Sequence, residues 1–136
     1  MNAGYSGTPL AQKLGIKSGF TVLTLGAPDN YSGLLGDPYD IKIIADKPAG
    51  RPDIIHFFTN SRDELFSRLA DLRNVIRQDG AIWVSWYKKT AKLPTEITED
   101  TVRDAALPLG LVDIKVCAVD ESWSGLKLVI RKENRV

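Results

Sequence analysis

Two apolar segments separated by an amphipathic one form the most distinctive pattern in this chain. Segments 53–58 and 81–86 are rich in β-branched and aromatic residues, as is typical of strands that are buried on both faces. Between them, apolar residues recur at the spacing of a helix. Because two buried strands joined by a crossover helix have to run parallel, the pattern predicts a βαβ unit at the centre of an α/β sheet.

The helix predicted between these strands has a polar start and a glycine at its end. Ser61 and Glu64 have the spacing of a capping box, in which each side chain accepts the backbone amide of the other residue. Gly80 is suited to the left-handed conformation that closes a last helical turn. The side chains expected to face the sheet are apolar: Leu65, Phe66, Leu69, Leu72, Val75 and Ile76.

The start of the chain predicts an arm and then a short helix. Residues 1–7 are small, polar and glycine-bearing, so we expect a flexible arm without regular structure. Thr8 as the cap and Pro9 at the first helical position then begin a helix that ends before Gly15. This helix has under two turns, and we expect it to form a short lid on the sheet.

The next part of the chain alternates strands with turn-rich links. Segments 20–25 and 41–44 predict strands, and we expect the first of them to be central. The link 27–36 is rich in turn residues, which indicates a truncated crossover. The link 46–52 is shorter than the dozen or so residues that a parallel crossover normally takes. The second strand is therefore antiparallel to its neighbours, or its connection runs extended without a helix, and the sequence leaves both open.

The C-terminal part predicts a helix followed by a hairpin. Thr98 precedes two acidic residues, whose charge suits the positive end of a helix. Strands 112–119 and 126–131 are joined by the short loop 120–125, which makes them antiparallel. The predicted fold class is a single three-layer α/β domain over residues 1–136. Its sheet is mostly parallel and Rossmann-like, with a C-terminal antiparallel hairpin.

Composition changes this picture little. A length of 136 residues suits one domain, and 43% hydrophobic with 26% charged residues is ordinary for a globular protein. The net charge of +1 gives no general attraction to nucleic acid or acidic membranes, so neither is a predicted partner. The single Cys117 cannot form an internal disulfide, and no apolar run approaches the ~20 residues of a membrane span. Because the N-terminus shows no signal-peptide pattern, we expect a cytoplasmic protein.

The order of elements resembles that of the Rossmann-like methyltransferases that use S-adenosylmethionine. The resemblance rests on segments 14–19 and 22–26, followed by a central strand, a helix ending at residues 79–80 and a terminal antiparallel hairpin. It covers most of the chain. It implies a methyltransferase-like fold, with S-adenosylmethionine as the implied cofactor.

Four residues form the candidate cofactor site that this resemblance implies: Gly26, Asp29, Asn30 and Asp46. Gly26 is the one glycine left of the glycine-rich turn, and Asp29 and Asn30 stand where those enzymes have further glycines. Asp46 follows the second strand, where an acidic residue binds ribose hydroxyls in such folds. Because the turn is incomplete, we expect no cofactor, and S-adenosylmethionine is the alternative.

A second resemblance is to a bacterial family of uncharacterised proteins, the domain of unknown function 3052. It rests on the segments 14–19, Leu-Gly-Ile-Lys-Ser-Gly, and 123–129, Trp-Ser-Gly-Leu-Lys-Leu-Val. This family implies no activity. It does imply that a short methyltransferase-like domain with an incomplete cofactor turn is a protein type of its own.

A set of polar and basic residues follows the two central strands. In an open parallel sheet, ligands bind outside the carboxyl ends of the strands. This rule places Asn60, Ser61, Arg62, Lys88 and Lys89 along one edge, beside the amino end of the Ser61 helix. Free helix amides, a guanidinium and two ammonium groups suit a phosphate or a carboxylate. The sequence therefore predicts that a small anionic ligand, if the protein has one, binds at this edge.

The sequence assigns no catalytic group. His56 is the only histidine and lies within a buried strand, so we expect a hydrogen-bonded core side chain rather than a base. Cys117 is expected to be a small buried hydrophobe. Trp123, in the predicted hairpin loop, either caps the core or stacks on a planar ligand, and the first role is favoured. No histidine and cysteine cluster has the spacing of metal ligands, which predicts no metal site.

Three classes of function remain open. They are an enzyme with a nucleotide-like cofactor, a binding module that keeps the ligand edge without catalysis, and an assembly protein whose bare sheet is covered by a partner. The lack of an assignable general base, metal cluster or phosphate loop favours the last two. We therefore expect a non-catalytic ligand-binding or protein-interaction module, with a homodimer or a protein partner as further expectations. A methyltransferase-like enzyme that uses S-adenosylmethionine is the alternative.

Overall fold

The computed structural model describes residues 9–36, 40–47 and 50–136. Helices and strands alternate through most of these ranges. In chain order they are α1 Leu10–Leu14, β1 Thr21–Leu25, α2 Tyr31–Leu35, β2 Lys42–Ala45, β3 Ile54–Phe58, α3 Arg62–Val75, β4 Ala81–Tyr87, α4 Glu99–Ala106, β5 Leu111–Ala118 and β6 Trp123–Ile130. Among the described residues, no helix is long and apolar enough to cross a membrane.

One sheet contains these six strands in the order β2-β1-β3-β4-β6-β5. Strands β1 to β4 run parallel, whereas β6 pairs antiparallel with both β4 and β5. The three strands predicted at 20–25, 53–58 and 81–86 are thus confirmed as parallel members of one sheet. The antiparallel hairpin at the end of the chain is confirmed as well. The fold class is the predicted one, a mostly parallel three-layer α/β sheet.

Helices lie on both faces of the sheet and create two cores. On one face, α3 and α4 pack against the sheet, with Leu69 of α3 on Ile82 of β4 in the same buried cluster. On the other face, Leu14 of α1 and Tyr31 of α2 belong to a cluster that includes Trp83 of β4. All five residues of β3 are buried because this strand is covered on both faces.

Strand β2 runs parallel to β1, which settles the direction that the sequence left open. Among the described residues of its connection to β3 there is no helix, and the parallel pairing rules out the antiparallel alternative. The connection ends where the Asp53 amide donates to the Thr21 carbonyl at 2.9 Å. As the edge strand, β2 is poorly covered, and the Ile43 side chain is 41% exposed.

Helix α3 begins at the predicted residue but with a different cap. The Ser61 hydroxyl accepts the Glu64 amide at 3.2 Å, as expected. The Glu64 carboxylate, however, accepts a hydrogen bond from the Thr59 hydroxyl, and the Ser61 amide donates to that hydroxyl at 3.2 Å. The predicted capping box is therefore only half formed, because Thr59 stands between its two members. A complete box occurs at α4, between Thr98 and Thr101.

The end of α3 also differs from the prediction. The last helical residue is Val75, and Ile76 already has extended backbone angles. Gly80 is not in the left-handed region, so the predicted reason for this glycine is wrong. A Cβ atom at Gly80 would lie 2.6 Å from the carbonyl oxygen of Asp53. The position excludes a side chain because β4 starts against the chain that enters β3.

Smaller differences concern the two ends of the chain. The predicted arm 1–7 and the Thr8 cap lie outside the described residues. Pro9 occupies the cap position rather than the first helical position, and Gly15 closes the helix in the left-handed conformation as predicted. Trp123 is the first residue of β6 rather than a loop residue, so the hairpin loop is shorter than predicted.

Candidate ligand site at the carboxyl edge of the sheet

The turn after β1 depends on Gly26. This residue has a φ of 67°, in the left-handed region that favours glycine. A Cβ atom there would lie 2.7 Å from the carbonyl oxygen of Phe58, at the end of the neighbouring strand β3. Gly26 therefore lets the chain leave β1 close to the backbone of β3.

Asp46 lies at the carboxyl end of β2 and contacts the same turn. Its Oδ1 atom accepts the Gly26 amide at 2.9 Å. Asp46 itself has a φ of 56°, a conformation that aspartate tolerates better than most residues. Two of the four residues in the candidate cofactor site are thus in direct contact with each other. We call this pair the Gly26–Asp46 corner.

The other two residues of that candidate site lie in the turn itself. Asp29 and Asn30 are exposed, and Asn30 caps the five-residue α2 without a side-chain hydrogen bond. The turn brings Tyr31 down onto the sheet, where this side chain is 5% exposed. In place of further glycines, the residues after Gly26 therefore lead straight into a short helix that covers β1 and β3.

An open groove lies over β1, beside the Gly26–Asp46 corner. Its volume is about 450 Å³. The groove is apolar along the sheet and the end of α3 and charged at its rim. The lining residues are Leu23, Leu25, Leu72 and Val75, with Asp46, Lys47, Gly50, Arg68 and Asp71 around them. We call this the β1 groove. It lies over the face of β1 that is next to the end of α3.

The predicted anion edge also contains the Glu96 carboxylate, which the sequence did not indicate. Asn60 lies next to β4, because its Oδ1 atom accepts the Tyr87 amide at 2.8 Å. The Arg62 amide, at the first position of α3, donates to the Glu96 carboxylate at 2.8 Å. The chain's own carboxylate therefore binds the amide that was expected to face a ligand. The Arg62 guanidinium lies over the Phe66 ring, 4.6 Å from its centroid.

Lys88 and Lys89 line a cavity of about 540 Å³ beyond β4. Glu96 and Glu99 line the same cavity, so the two positive charges face two negative ones. The structure therefore brings the predicted residues to one edge, where Glu96 already binds the Arg62 amide and Glu99 is paired with Arg103. Glu96 carries no pattern that links it to α3 in the sequence, which is why its position was not foreseen.

A hydrogen-bonded chain of three buried side chains crosses the centre of the sheet. His56 Nδ1 lies 2.8 Å from the Tyr31 hydroxyl, and His56 Nε2 lies 2.7 Å from the Ser85 hydroxyl. The imidazole also stacks on the Phe58 ring, with 4.1 Å between the centroids. His56 is fully buried, and burial lowers its pKa to about 3. The imidazole is therefore neutral near pH 7 and has the core role that the sequence predicted.

The partners of His56 were not predicted. Burial also raises the pKa of the Tyr31 hydroxyl, which keeps it protonated. Ser85 stands next to Phe58 in the register of β3 and β4, and therefore on the same face as His56. Aligning β3 with β4 in the sequence could have shown that His56 and Ser85 lie on the same face of two buried strands. Tyr31 comes from a link whose path the sequence does not specify.

Trp123 packs against aromatic rings rather than facing an open site. Its ring is 4.9 Å from that of Phe58 and 4.5 Å from that of Tyr87, between centroids. This is the core-capping role that the sequence favoured. Cys117 is half-buried, and burial raises the pKa of its thiol. No group of three or more metal-binding side chains occurs within the described ranges of the chain.

The sequence also matches a family model over residues 11–132. The family is described as "Protein of unknown function (DUF3052)". The chain belongs to this family. The match confirms the second resemblance drawn from the sequence. Comparison with curated proteins found no match.

Solved structures with a similar fold include several methyltransferases. A SAM-dependent methyltransferase from Aquifex aeolicus has a TM-score of 0.66 and 17% identity, covering 89% of this chain and 87% of that one. A TehB-like SAM-dependent methyltransferase from Corynebacterium glutamicum has a TM-score of 0.57 and 11% identity, covering 95% and 91%. Magnesium protoporphyrin IX methyltransferase from Synechocystis, with bound SAH, has a TM-score of 0.60 and 11% identity, covering 90% and 78%. At such low identity these similarities establish the methyltransferase-like fold.

Proposed function

We propose that this protein is a non-catalytic ligand-binding module built on a methyltransferase-like fold. The observation that carries the proposal is the hydrogen bond between the Gly26 amide and the Asp46 carboxylate. A carboxylate in the position of Asp46 binds ribose hydroxyls in dinucleotide-binding folds. Here one of its oxygens accepts a backbone amide of the turn instead. Asp46 therefore stabilises the backbone of the turn, and one of its oxygens is no longer free to bind a nucleoside.

The nature of the titratable groups also favours binding without catalysis. General acid–base catalysis needs a group that titrates near neutral pH and reaches the substrate. His56 is the only histidine in the sequence, and it is fully buried between two hydroxyl groups. An imidazole with a pKa of about 3 takes up no proton from a substrate near pH 7.

The β1 groove is the site that we assign to the ligand. Ligand sites in proteins are concave and mostly apolar, with a few polar groups that fix orientation. The groove has this character, with leucine side chains along its floor and Arg68 and Asp71 at its rim. Its volume of about 450 Å³ suits a small molecule with an apolar or planar body.

Blocking the groove tests this assignment. Val75 lines the groove at the end of α3 and is 38% exposed, so Val75→Trp should fill part of it. Asn74 is exposed, lies in the same turn of α3 and does not line the groove, so Asn74→Trp is the matched control. Thermal-shift screening of wild type with nucleosides, cofactors and apolar acids would first identify a ligand. Its calorimetric affinity should fall in Val75→Trp and persist in Asn74→Trp; equal affinity in both variants would exclude this groove.

Titration with S-adenosylmethionine and with its demethylated product tests whether the protein binds the cofactor that methyl transfer requires. We expect no binding in the low micromolar range by calorimetry, because the turn after β1 keeps a single glycine and Asp46 is bound to it. Low micromolar binding of either compound would overturn the proposal.

A methyltransferase-like enzyme is the alternative. The fold shared with SAM-dependent methyltransferases and the acidic residue at the end of β2 favour it. In that case Asp46→Asn should weaken the binding of S-adenosylmethionine while leaving folding intact. The same calorimetric experiment therefore tests whether the cofactor of this alternative binds, and an assay of methyl transfer then separates a binding module from an enzyme.

A further inference from the structure

The opposite, amino edge of the sheet contains a second polar cavity. It has a volume of about 470 Å³ and lies between the end of α1 and the starts of β3 and β4. Five charged side chains line it: Lys17, Asp53, Arg77, Asp79 and Lys127. The pairing of these charges decides what the cavity can bind.

Both carboxylates of this cavity already have partners. Arg77 Nε lies 3.4 Å from Asp53 Oδ1 and 3.2 Å from Asp79 Oδ1. The second carboxylate oxygen of Asp53 accepts the Thr21 amide at 2.8 Å. Within the described part of the chain, neither Lys17 nor Lys127 forms an ion pair with a carboxylate. Three cations and two carboxylates line the cavity, so its net charge is +1, and among the described residues its positive excess lies at Lys17 and Lys127.

Lys127 is the more unusual of the two. It is half-buried, and its ammonium lies 6.0 Å from the centroid of the Trp83 ring. Lys115 lies directly opposite Lys127 in the β5–β6 pair, where like charges destabilise a sheet. Lys115 donates to the Lys13 carbonyl at 3.3 Å, so the end of α1 already has a positive partner. The Trp83 ring and the end of α1 favour an ammonium at this point, but neither supplies a full negative charge to balance it.

We propose that this cavity binds a small oxyanion, of the phosphate class, between the ammonium groups of Lys127 and Lys17. An anion there would supply the counter-charge that the protein lacks and would offset the repulsion between Lys127 and Lys115. Burial and the nearby charges of Lys115 and Lys17 lower the pKa of Lys127, and a bound anion would favour its charged form. This inference is independent of the β1 groove and of its ligand.

Lys127→Met is the decisive variant. Methionine keeps an unbranched apolar stem over Trp83 and removes the charge. Wild type, Lys127→Met, Lys17→Met and the exposed control Lys132→Met should be titrated with inorganic phosphate by calorimetry and by thermal unfolding. Chloride at matched ionic strength corrects for screening and for the general stabilisation that phosphate gives to any protein.

We expect phosphate to bind wild type and Lys132→Met alike. Affinity should fall roughly tenfold or more in Lys127→Met, the value of one charge-assisted hydrogen bond, and less in the exposed Lys17→Met. Without phosphate, Lys127→Met should melt at or above the wild-type temperature, because a like-charge pair is removed.

One result would overturn the proposal outright, and a second would leave the decision to Lys17→Met. Equal phosphate effects in wild type and in Lys127→Met would mean that the site is elsewhere or that the stabilisation is general. Clear destabilisation of phosphate-free Lys127→Met would mean that the ammonium serves the fold itself. Lys17→Met keeps the proposal testable in that case, since Lys17 is exposed and its loss should weaken phosphate binding without affecting folding.

Discussion

The two halves of the parallel sheet contain similar strands but are covered very differently. Strands β3 and β4 are joined by α3, which has 14 residues and lies along the sheet. Strands β1 and β2 are joined by α2, which has five residues, and three of the four residues of β2 are exposed. The β3–α3–β4 unit is covered on both faces, whereas the β1–α2–β2 unit ends in an exposed edge strand beside a groove.

This difference separates what holds the fold from what is free to bind. Apolar burial is the main stabilising term in folding, so the β3–α3–β4 unit should dominate stability. In the β1–α2–β2 unit the edge strand is largely exposed, and the β1 groove lies over β1 beside it. Regions with few buried contacts are those from which ligand-binding elements are drawn.

The largest expected effect tests this contrast directly. Leu69 of α3 is fully buried, so Leu69→Ala should cost about 2–5 kcal/mol of unfolding free energy. Ile43 of β2 is 41% exposed, so Ile43→Ala should cost under about 1 kcal/mol. Urea unfolding followed by circular dichroism gives both values. Equal costs would show that the edge strand is as tightly integrated as the central unit.

The junction between the two units depends on one glycine. Gly26→Ala should cost at least about 2 kcal/mol, since left-handed strain adds to a contact of the new Cβ with the Phe58 carbonyl. Gly33, within α2, is the matched control, because it has no such strain and a Cβ there meets no atom within 4 Å. Gly33→Ala should be neutral or stabilising by up to about 1 kcal/mol. A mild Gly26→Ala phenotype would mean that the two strands separate easily at this end.

A change of pH acts on the side chain that links both units. His56 of β3 bonds to Tyr31 of α2 and to Ser85 of β4. Its pKa is about 3 in the folded protein and about 6.5 in the unfolded chain, so its contribution is complete above pH 6.5 and decreases as the pH falls. At pH 5 the loss should be about 2 kcal/mol relative to pH 7.

Urea unfolding at several pH values measures this loss. His56 is the only histidine, and carboxylates titrate mainly below pH 5, so the interval between pH 5 and 7 reports chiefly on this residue. His56→Gln should be less stable than wild type at pH 7 but nearly independent of pH in that interval. A wild-type stability that is flat from pH 7 to pH 5 would contradict a neutral buried imidazole.

The same contrast explains how much could be predicted from the sequence. The central unit was predicted from local signals, because buried strands and the α3 stripe, including Leu69, have strong periodicity. The direction of β2 depends on a link without any periodic pattern, and the sequence left it open. The role of Gly80 was misjudged because it depends on a contact with Asp53, which is distant in sequence.

The candidate site was predicted less completely than the fold. The resemblance to methyltransferases pointed to Gly26 and Asp46, but their mutual hydrogen bond is a tertiary feature. Glu96 reaches the start of α3 from a loop without regular structure at that position. Sequence motifs indicate which groups lie near an edge of the sheet. Which of those groups already have hydrogen-bond partners depends on loops, whose paths the sequence does not specify.

A smaller effect is expected at the Gly26–Asp46 corner. Asp46→Ala should cost about 1 kcal/mol, because it removes the acceptor of the Gly26 amide, which water can partly replace at this exposed site. Asp46→Asn keeps an acceptor oxygen and tolerates the left-handed backbone, so its stability should match the wild type. Urea unfolding of both variants measures the difference. If the two variants were equally destabilised, the carboxylate charge rather than the hydrogen bond would hold the corner.

The smallest effect is expected at the anion edge predicted from the sequence. The Lys88→Ala and Lys89→Ala double variant should change the unfolding free energy by less than about 0.5 kcal/mol, because ion pairs of partly exposed groups contribute little. Its affinity for an anionic ligand found by screening should fall if that ligand binds beside Asn60, Ser61 and Arg62. Lys127→Met is the complementary variant, because it removes a charge at the opposite edge. An anion whose affinity falls in Lys127→Met and is untouched in the double variant would show that the carboxyl edge, where Glu96 and Glu99 also lie, is not where this protein binds that anion.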